Sequence, residues 1–224
     1  MNKTFTISPL NENAALVSFG NVIDIDVNNR IIGLHKFLRQ DSFSGFTESV
    51  PAYASLAVFY KGVSFKSVNK FLMKSLDELD FNEPAVVRPT LEIPVLYDGD
   101  DLDLVAELHQ LAREEVIAIH TSRSYHVFML GFLPGFSYMG TVDDRIATPR
   151  KSSPRILVPA GSVGIAGYQT GIYPQSSPGG WQLIGRTPLK IFDAGRSKTC
   201  LIDAGDQVKF SPISKTEFEK LNEY

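Results

Sequence analysis

Alternation and helical spacing divide the first part of the chain. Residues 4–8 alternate apolar and polar, and Ala14 to Phe19 is a second apolar run. The polar Asn11-Glu12-Asn13 lies between them, the pattern of an opening β-hairpin. From Asp26 to Gln40, Ile31, Leu34, Phe37 and Leu38 recur at helical spacing, with Asp24 or Asp26 available as N-cap. Gly45 to Val50 and Ala54 to Tyr60 read as strands separated at Pro51. Ser64 or Ser67 then opens an amphipathic helix carrying Val68, Phe71, Leu72, Leu76 and Leu79. The expectation is two helices on one face of a mostly antiparallel sheet. The polar Asn82-Glu83-Pro84 places a boundary near residue 86, giving a small α/β domain over 1–86 and a second domain over 87–224.

The second part opens with a strand from Val86 to Leu96 and the turn Asp98-Gly99-Asp100-Asp101. Helices follow to about Gln110 and from Arg113 to about His120, with Glu114 and Glu115 favourably placed in the latter's first turn. After Tyr125 the pattern is strands until Phe210, and Ser214 to Leu221 is a short terminal helix. Between Gly131 and Pro188, Gly and Pro recur too densely for a long helix. Phe, Leu, Ile, Val, Tyr and Trp sit between these breakers, so the segment reads as a tightly turned β-barrel or sandwich. The fold class is α+β followed by a mainly β barrel.

Composition narrows the function. The 224 residues are 43% hydrophobic and 21% charged, ordinary for a soluble globular protein, and a net charge of −3 gives no basic footprint for nucleic acid. No apolar run has the length of a membrane span and the N-terminus lacks a signal-peptide core, so the expected location is cytoplasmic. The single cysteine, Cys200, excludes an internal disulfide and reads as a small core residue in a strand.

Most chemical motifs fail on inspection. The acidic cluster Asp98, Asp100, Asp101 and Asp103 lacks the glycine and glutamate positions of a calcium loop, and reads as a turn with a helix cap. Gly180-Trp181-Gln182-Leu183-Ile184-Gly185-Arg186-Thr187 approaches a phosphate-binding loop. However, Arg replaces Lys, and Pro188 starts a strand where that motif needs a helix. Gly135 to Gly140 is one residue too long for a serine-hydrolase elbow around Ser137. The four histidines show no metal-ligand spacing, and no metal is expected. His120, at a helix C-terminus, is a cap or a candidate for ligand contact.

Arg150, Arg155 and Arg186 lie in the Gly/Pro-rich region, and a guanidinium can clamp a carboxylate or phosphate on two oxygens. Taken one at a time, each is expected to pair with a nearby Asp or a turn carbonyl rather than with a ligand. Gln169, Thr170, Ser162 and Ser177 add neutral donors and acceptors. Phe132, Pro134, Phe136, Tyr138, Tyr173 and Trp181 are core, or the apolar wall of a pocket or partner groove.

Five stretches then carry a resemblance: Gly131-Phe132-Leu133-Pro134-Gly135-Phe136, Ala147-Thr148-Pro149-Arg150, Val158-Pro159-Ala160-Gly161-Ser162-Val163, Gln169-Thr170-Gly171-Ile172-Tyr173-Pro174 and Ser177-Pro178-Gly179-Gly180-Trp181. With Ile93 to Leu102 and Glu114 to Thr121 upstream, they resemble the family of 5-oxoprolinase B subunits, also called the kinase A inhibitor (KipI) or allophanate hydrolase subunit 1 family. The resemblance covers essentially the whole chain. It departs at Ala112, where a Ser or Thr cap is expected, and at Ser137, where relatives often carry Pro or Ala.

The resemblance implies a small α/β domain followed by a cyclophilin-like barrel, similar to half of the carboxyltransferase region of urea carboxylase. It implies work alongside two partners, a larger KipA-type protein and a LamB/YcsF-type protein, together hydrolysing 5-oxoproline to glutamate at the expense of ATP. The ATP is expected to be used by the complex rather than held by a motif of this chain. On this reading the chain supplies one wall of a shared site, with Arg155 or Arg186 holding a carboxylate and Gln169 and Ser162 hydrogen bonding. The alternatives are a KipI-like inhibitor that meets a sensor histidine kinase through an exposed Phe132 to Phe136 segment, or a carboxyltransferase or allophanate hydrolase-type component. Prolyl isomerase activity is not implied, because fold alone does not carry function.

Overall fold

The computed structural model describes residues 5–79 and 90–222. Internal packing separates two compact units, Met1–Val87 and Arg88–Tyr224. The expected boundary at Asn82-Glu83-Pro84 and residue 86, and the start of the strand expected from Val86, lie outside the described residues.

In the first unit, β1 (Thr6–Asn11) and β2 (Ala14–Ser18) form the expected hairpin, followed by α1 (Ile25–Gln40), β3 (Phe46–Pro51), β4 (Ser55–Tyr60) and α2 (Phe65–Glu78). The strands pair antiparallel in the order β1-β2-β4-β3. Asp24 caps α1, its side chain accepting from the Val27 N–H at 2.9 Å, and Ser64 caps α2. Ile31, Leu34 and Leu38 from α1 and Val68 and Leu72 from α2 are fully buried against Val17, Leu56 and Val58 of the sheet. Each such side chain contributes about 1.5–3 kcal/mol by leaving water.

The second unit contains β5 (Leu91–Val95), α3 (Leu102–His109), α4 (Arg113–Thr121), β6 (Ser124–Leu130), β7 (Ser137–Gly140), β8 (Arg155–Val158), β9 (Ser162–Ala166), β10 (Gln169–Ile172), β11 (Ser177–Gly179), β12 (Gln182–Arg186), β13 (Gln207–Pro212) and α5 (Lys215–Asn222). Seven strands form one sheet in the order β12-β9-β10-β7-β6-β13-β5, and only β13 with β5 is parallel. A bridge between Leu96 and Arg186 joins its two edges, each N–H donating to the other's carbonyl at 2.9 Å, so the sheet is a nearly closed barrel. A ribbon of β8 and β11 stands apart from it and exposes Ile156 and Leu157.

Two local expectations change. Asp101 stands at the N-cap of α3 without capping it, because its carboxylate is drawn into the protein. Cys200 is half-buried at an isolated bridge to Phe192, not a core residue within a strand. Ala112, lacking a hydroxyl, leaves the start of α4 to Glu115, whose Oε2 accepts from the Ala112 N–H at 2.8 Å.

Candidate functional site

The turn between β6 and β7 makes the lip of a cavity. The Gly131 N–H donates to the Phe136 carbonyl at 3.1 Å, and the Phe136 N–H to the Leu133 carbonyl at 3.0 Å, closing a tight loop. Phe132, at its tip, has φ +67°, the left-handed region costly for a side chain with a Cβ, and is 61% exposed. Phe136 is turned inward and fully buried, so the two rings of this segment are not both exposed as the partner-contact reading expects. Pro134 lies exposed beside Phe132.

Phe136 is the hub of an aromatic cluster. Its centroid lies 4.8 Å from Tyr138, 5.1 Å from Tyr173, 5.3 Å from Trp181 and 5.6 Å from Phe132, each pair edge to face. That arrangement sets positive ring edges against negative faces and fixes the rings mutually. Gly179 completes the wall: a Cβ there would lie 2.4 Å from the Tyr173 hydroxyl, so only glycine lets Tyr173 take its place. The cavity measures about 420 Å³, within the range for small-molecule pockets. Its lining adds Arg150, Lys151, Ser152, Pro154, Pro178 and Gly180 to these rings.

The three arginines meet different fates. Arg155 donates from Nη2 to Asp101 Oδ1 at 2.6 Å and from Nη1 to the Trp181 carbonyl at 3.2 Å. Asp101 also accepts from Lys151 Nζ at 3.0 Å and from the Leu183 N–H at 2.7 Å. Burial pushes the Asp101 carboxyl up. The bonds from Arg155, Leu183 and Lys151 outweigh it and hold the group below its usual value. Arg186 forks onto Asp98, with Nη2–Oδ2 at 2.8 Å, and covers the Phe218 ring at 4.5 Å. Both guanidiniums expected to hold a carboxylate ligand are therefore engaged internally. Arg150 is exposed on the cavity wall, and among the described residues no hydrogen bond or ion pair holds it. Burial raises the Tyr138 hydroxyl's pKa, and the nearby Arg150 charge opposes that rise.

The other candidates scatter. Ser162, with Arg186, Asp98 and Asp100, lines a separate cavity of about 500 Å³. Gln169 begins β10, opposite Gly140 and Ala166. Ser177 is buried, and its hydroxyl donates to the Pro178 carbonyl at 3.1 Å. Ser137 is sealed from solvent.

His120 neither caps its helix nor faces a cavity. It is wholly buried, stacked on Phe210 at 4.7 Å, with Nδ1 2.7 Å from the Tyr97 hydroxyl and Nε2 3.0 Å from Thr170 Oγ1. Thr170 donates its own proton to the Gly164 carbonyl at 3.0 Å, so its oxygen accepts from Nε2–H and Nδ1 accepts from Tyr97. Burial lowers the imidazole pKa to about 3 and keeps it neutral.

A nearly closed barrel with an aromatic cavity at the β6–β7 turn is the frame into which the sequence relationships fit. The chain belongs to the family described as carboxyltransferase domain, subdomain C and D, which matches residues 5–202. The 5-oxoprolinase B subunit of Bacillus subtilis (strain 168) is 44% identical over 238 residues, covering 100% of this chain and 99% of that protein. The 5-oxoprolinase B subunit of Escherichia coli O157:H7 is 50% identical, over 74% of this chain and 77% of its own length. The crystal structure of TTHA0988 aligns with a TM-score of 0.81 at 35% identity, over 90% of this chain and 40% of that one.

Of the groups that shape the cavity, Asp101 and Lys151 escape a reading of the sequence. Asp101 sits in a turn that already explains four acidic residues, and Lys151 is one of many surface-type lysines. The Thr148-Pro149-Arg150 stretch is the available signal for the charge on the wall.

Proposed function

We propose that this chain is the B subunit of an ATP-dependent 5-oxoprolinase, a non-autonomous part of a complex that opens 5-oxoproline to glutamate. The correspondence with the Bacillus subtilis protein over the full length of both chains carries this reading. We read the architecture as two domains, the second a cyclophilin-like barrel, and the partners as a KipA-type protein and a LamB/YcsF-type protein. A lactam is a stable amide, so its opening needs the carbonyl oxygen activated, by phosphorylation from ATP, before water attacks. Here the groups that invite a chemical role are committed elsewhere: His120 to Tyr97 and Thr170, Arg155 to Asp101, and Ser137 to the interior. On this reading the chain binds and orients substrate as one wall of a shared site, and ATP is used by the assembled complex. Exposed Phe132, Ile156 and Leu157 support a surface that a partner covers.

The test is reconstitution. The chain mixed with both partner proteins should release glutamate from 5-oxoproline only when ATP is added, and the chain alone should release none. Full turnover by the two partners without this chain would sink the reading.

A further inference from the structure

The aromatic cavity carries an unbalanced positive charge. Arg150 and Lys151 line it, and no carboxylate is among its lining residues. Behind the wall, Asp101 is shared by two cations, Lys151 and Arg155, so one carboxylate faces two positive charges there. Lys151 is turned to Asp101 at 3.0 Å, which leaves Arg150 as the lining cation not tied to an acid. The aromatic part of the lining is the rings of Phe132, Phe136, Tyr138, Tyr173 and Trp181. A ligand suited to this cavity has a compact apolar body for the rings and one anionic group for the guanidinium.

We propose that this cavity is the binding site for a small cyclic carboxylate, with the ring against Trp181 and Tyr138 and the carboxylate on Arg150. Arg150 acts as the specificity-determining residue, because its forked donors meet both oxygens of a planar carboxylate. Phe132 fits the same role: a large apolar ring is held exposed at φ +67° on the cavity lining, edge to face with buried Phe136. Sites that hold a side chain in such a conformation are commonly functional. The choice of a cyclic carboxylate, and the KM measurement, rest on the proposed function, whereas the cavity's call for an apolar body with an anionic group does not.

Trp181 is the sole tryptophan of the chain and lines the cavity, so its fluorescence reports on this site. The full chain is titrated with 5-oxoproline and with 2-pyrrolidinone, the same lactam without the carboxylate. The expected result is a change in Trp181 emission with half-saturation about tenfold or more lower for 5-oxoproline, the range for losing one charge-assisted hydrogen bond. Arg150→Gln should erase that preference with the melting temperature unchanged, Arg150→Lys should retain part of it, and Arg186→Gln should leave it intact. In the assembled complex, Arg150→Gln should raise KM for 5-oxoproline by about tenfold. If the wild-type complex is active, KM decides: an unchanged value overturns the assignment. If the wild-type complex is inactive, the proposed function fails, and the titration judges the cavity by itself. Equal response to both probes, or none, then overturns the site.

Discussion

Asp101 and Arg155 lie 54 residues apart in sequence and meet at 2.6 Å, joining the start of α3 to the β8–β11 ribbon. The carboxylate is 5% exposed and the guanidinium 20%, so neither can recover its lost partner from bulk water. Asp101→Ala would strand the Arg155 and Lys151 charges and leave the buried Leu183 N–H without an acceptor. The expected cost is about 3–5 kcal/mol, read as a lowered urea midpoint at unchanged slope. Because the folded carboxyl titrates below its ordinary value, this stability is present at neutral pH. It is lost as pH falls from the unfolded pKa through the folded one. Asp101→Asn should therefore flatten the acid limb of the stability curve.

His120 makes a second pH-dependent contribution. Unfolded, its imidazole takes up a proton near its ordinary value of 6.5, whereas folded it resists protonation until about pH 3. The unfolded state thus binds more protons between these values, and stability rises with pH across that window. The contribution is full above 6.5 and lost toward 3, with a slope of about 1.4 kcal/mol per pH unit at most. His120→Phe should remove this slope. It should also cost about 2–4 kcal/mol at pH 7, because the Tyr97 hydroxyl and Thr170 lose their shared partner inside the core. An unaltered pH profile in this variant would show that the imidazole is accessible to protons in the folded protein.

Local physics made much of the fold legible. The spacing of Ile31, Leu34 and Leu38, and of Val68, Leu72 and Leu76, marks two helices whose apolar stripes are the buried ones. The density of Gly and Pro after Gly131 marks the barrel. The aromatic residues picked from sequence line one cavity, with Pro134 beside it. That Arg155 and Arg186 pair internally was the expectation for each taken alone, but their partners were not legible, because Asp101 and Asp98 lie 54 and 88 residues away. The same holds for His120, whose partners Tyr97 and Thr170 come from opposite sides of it in sequence. Phe132 and Phe136 look alike in sequence, and only the turn geometry exposes one and buries the other.

Gly99 shows how closely the chain approaches itself. A Cβ at this position would lie 2.4 Å from the Leu183 carbonyl oxygen and 2.5 Å from the Gly185 nitrogen, both rigid backbone of β12. Gly99→Ala should force the Asp98 to Asp101 turn away from that strand and loosen the bonds that Asp101 accepts from Leu183 and Arg155. The expected cost is about 1–3 kcal/mol, measured by thermal or urea unfolding. A neutral result would mean that the turn and β12 separate freely.

Arg186 and Asp98 make a pair with the same chemistry as Arg155 and Asp101 but a different setting. Their side chains are 47% and 41% exposed, so water replaces either partner when the other is removed. Arg186→Ala should change stability by less than about 1 kcal/mol, and less still at high salt. Part of that small loss comes from the guanidinium's packing over Phe218 rather than from the ion pair. A double-mutant cycle with Asp98→Ala separates the two, and a coupling well above that limit would show the pair to be shielded from solvent.

Phe132 separates stability from function. Its backbone sits at φ +67°, where a residue with a Cβ loses about 1–2 kcal/mol relative to the right-handed region. Its ring is largely exposed and meets Phe136 edge to face, so truncation forfeits little packing. Asn tolerates the left-handed region better than Phe does, because its short side chain bonds locally. Phe132→Asn should therefore leave the melting temperature unchanged or raise it, by an amount equivalent to about 0.5–1 kcal/mol. The same change removes one wall of the cavity and an exposed apolar contact, so activity of the reconstituted complex should fall. A variant that is more stable and less active would show that the strain at Phe132 is kept for the site. Lower stability with unaltered activity would make the ring an ordinary packing element of the turn.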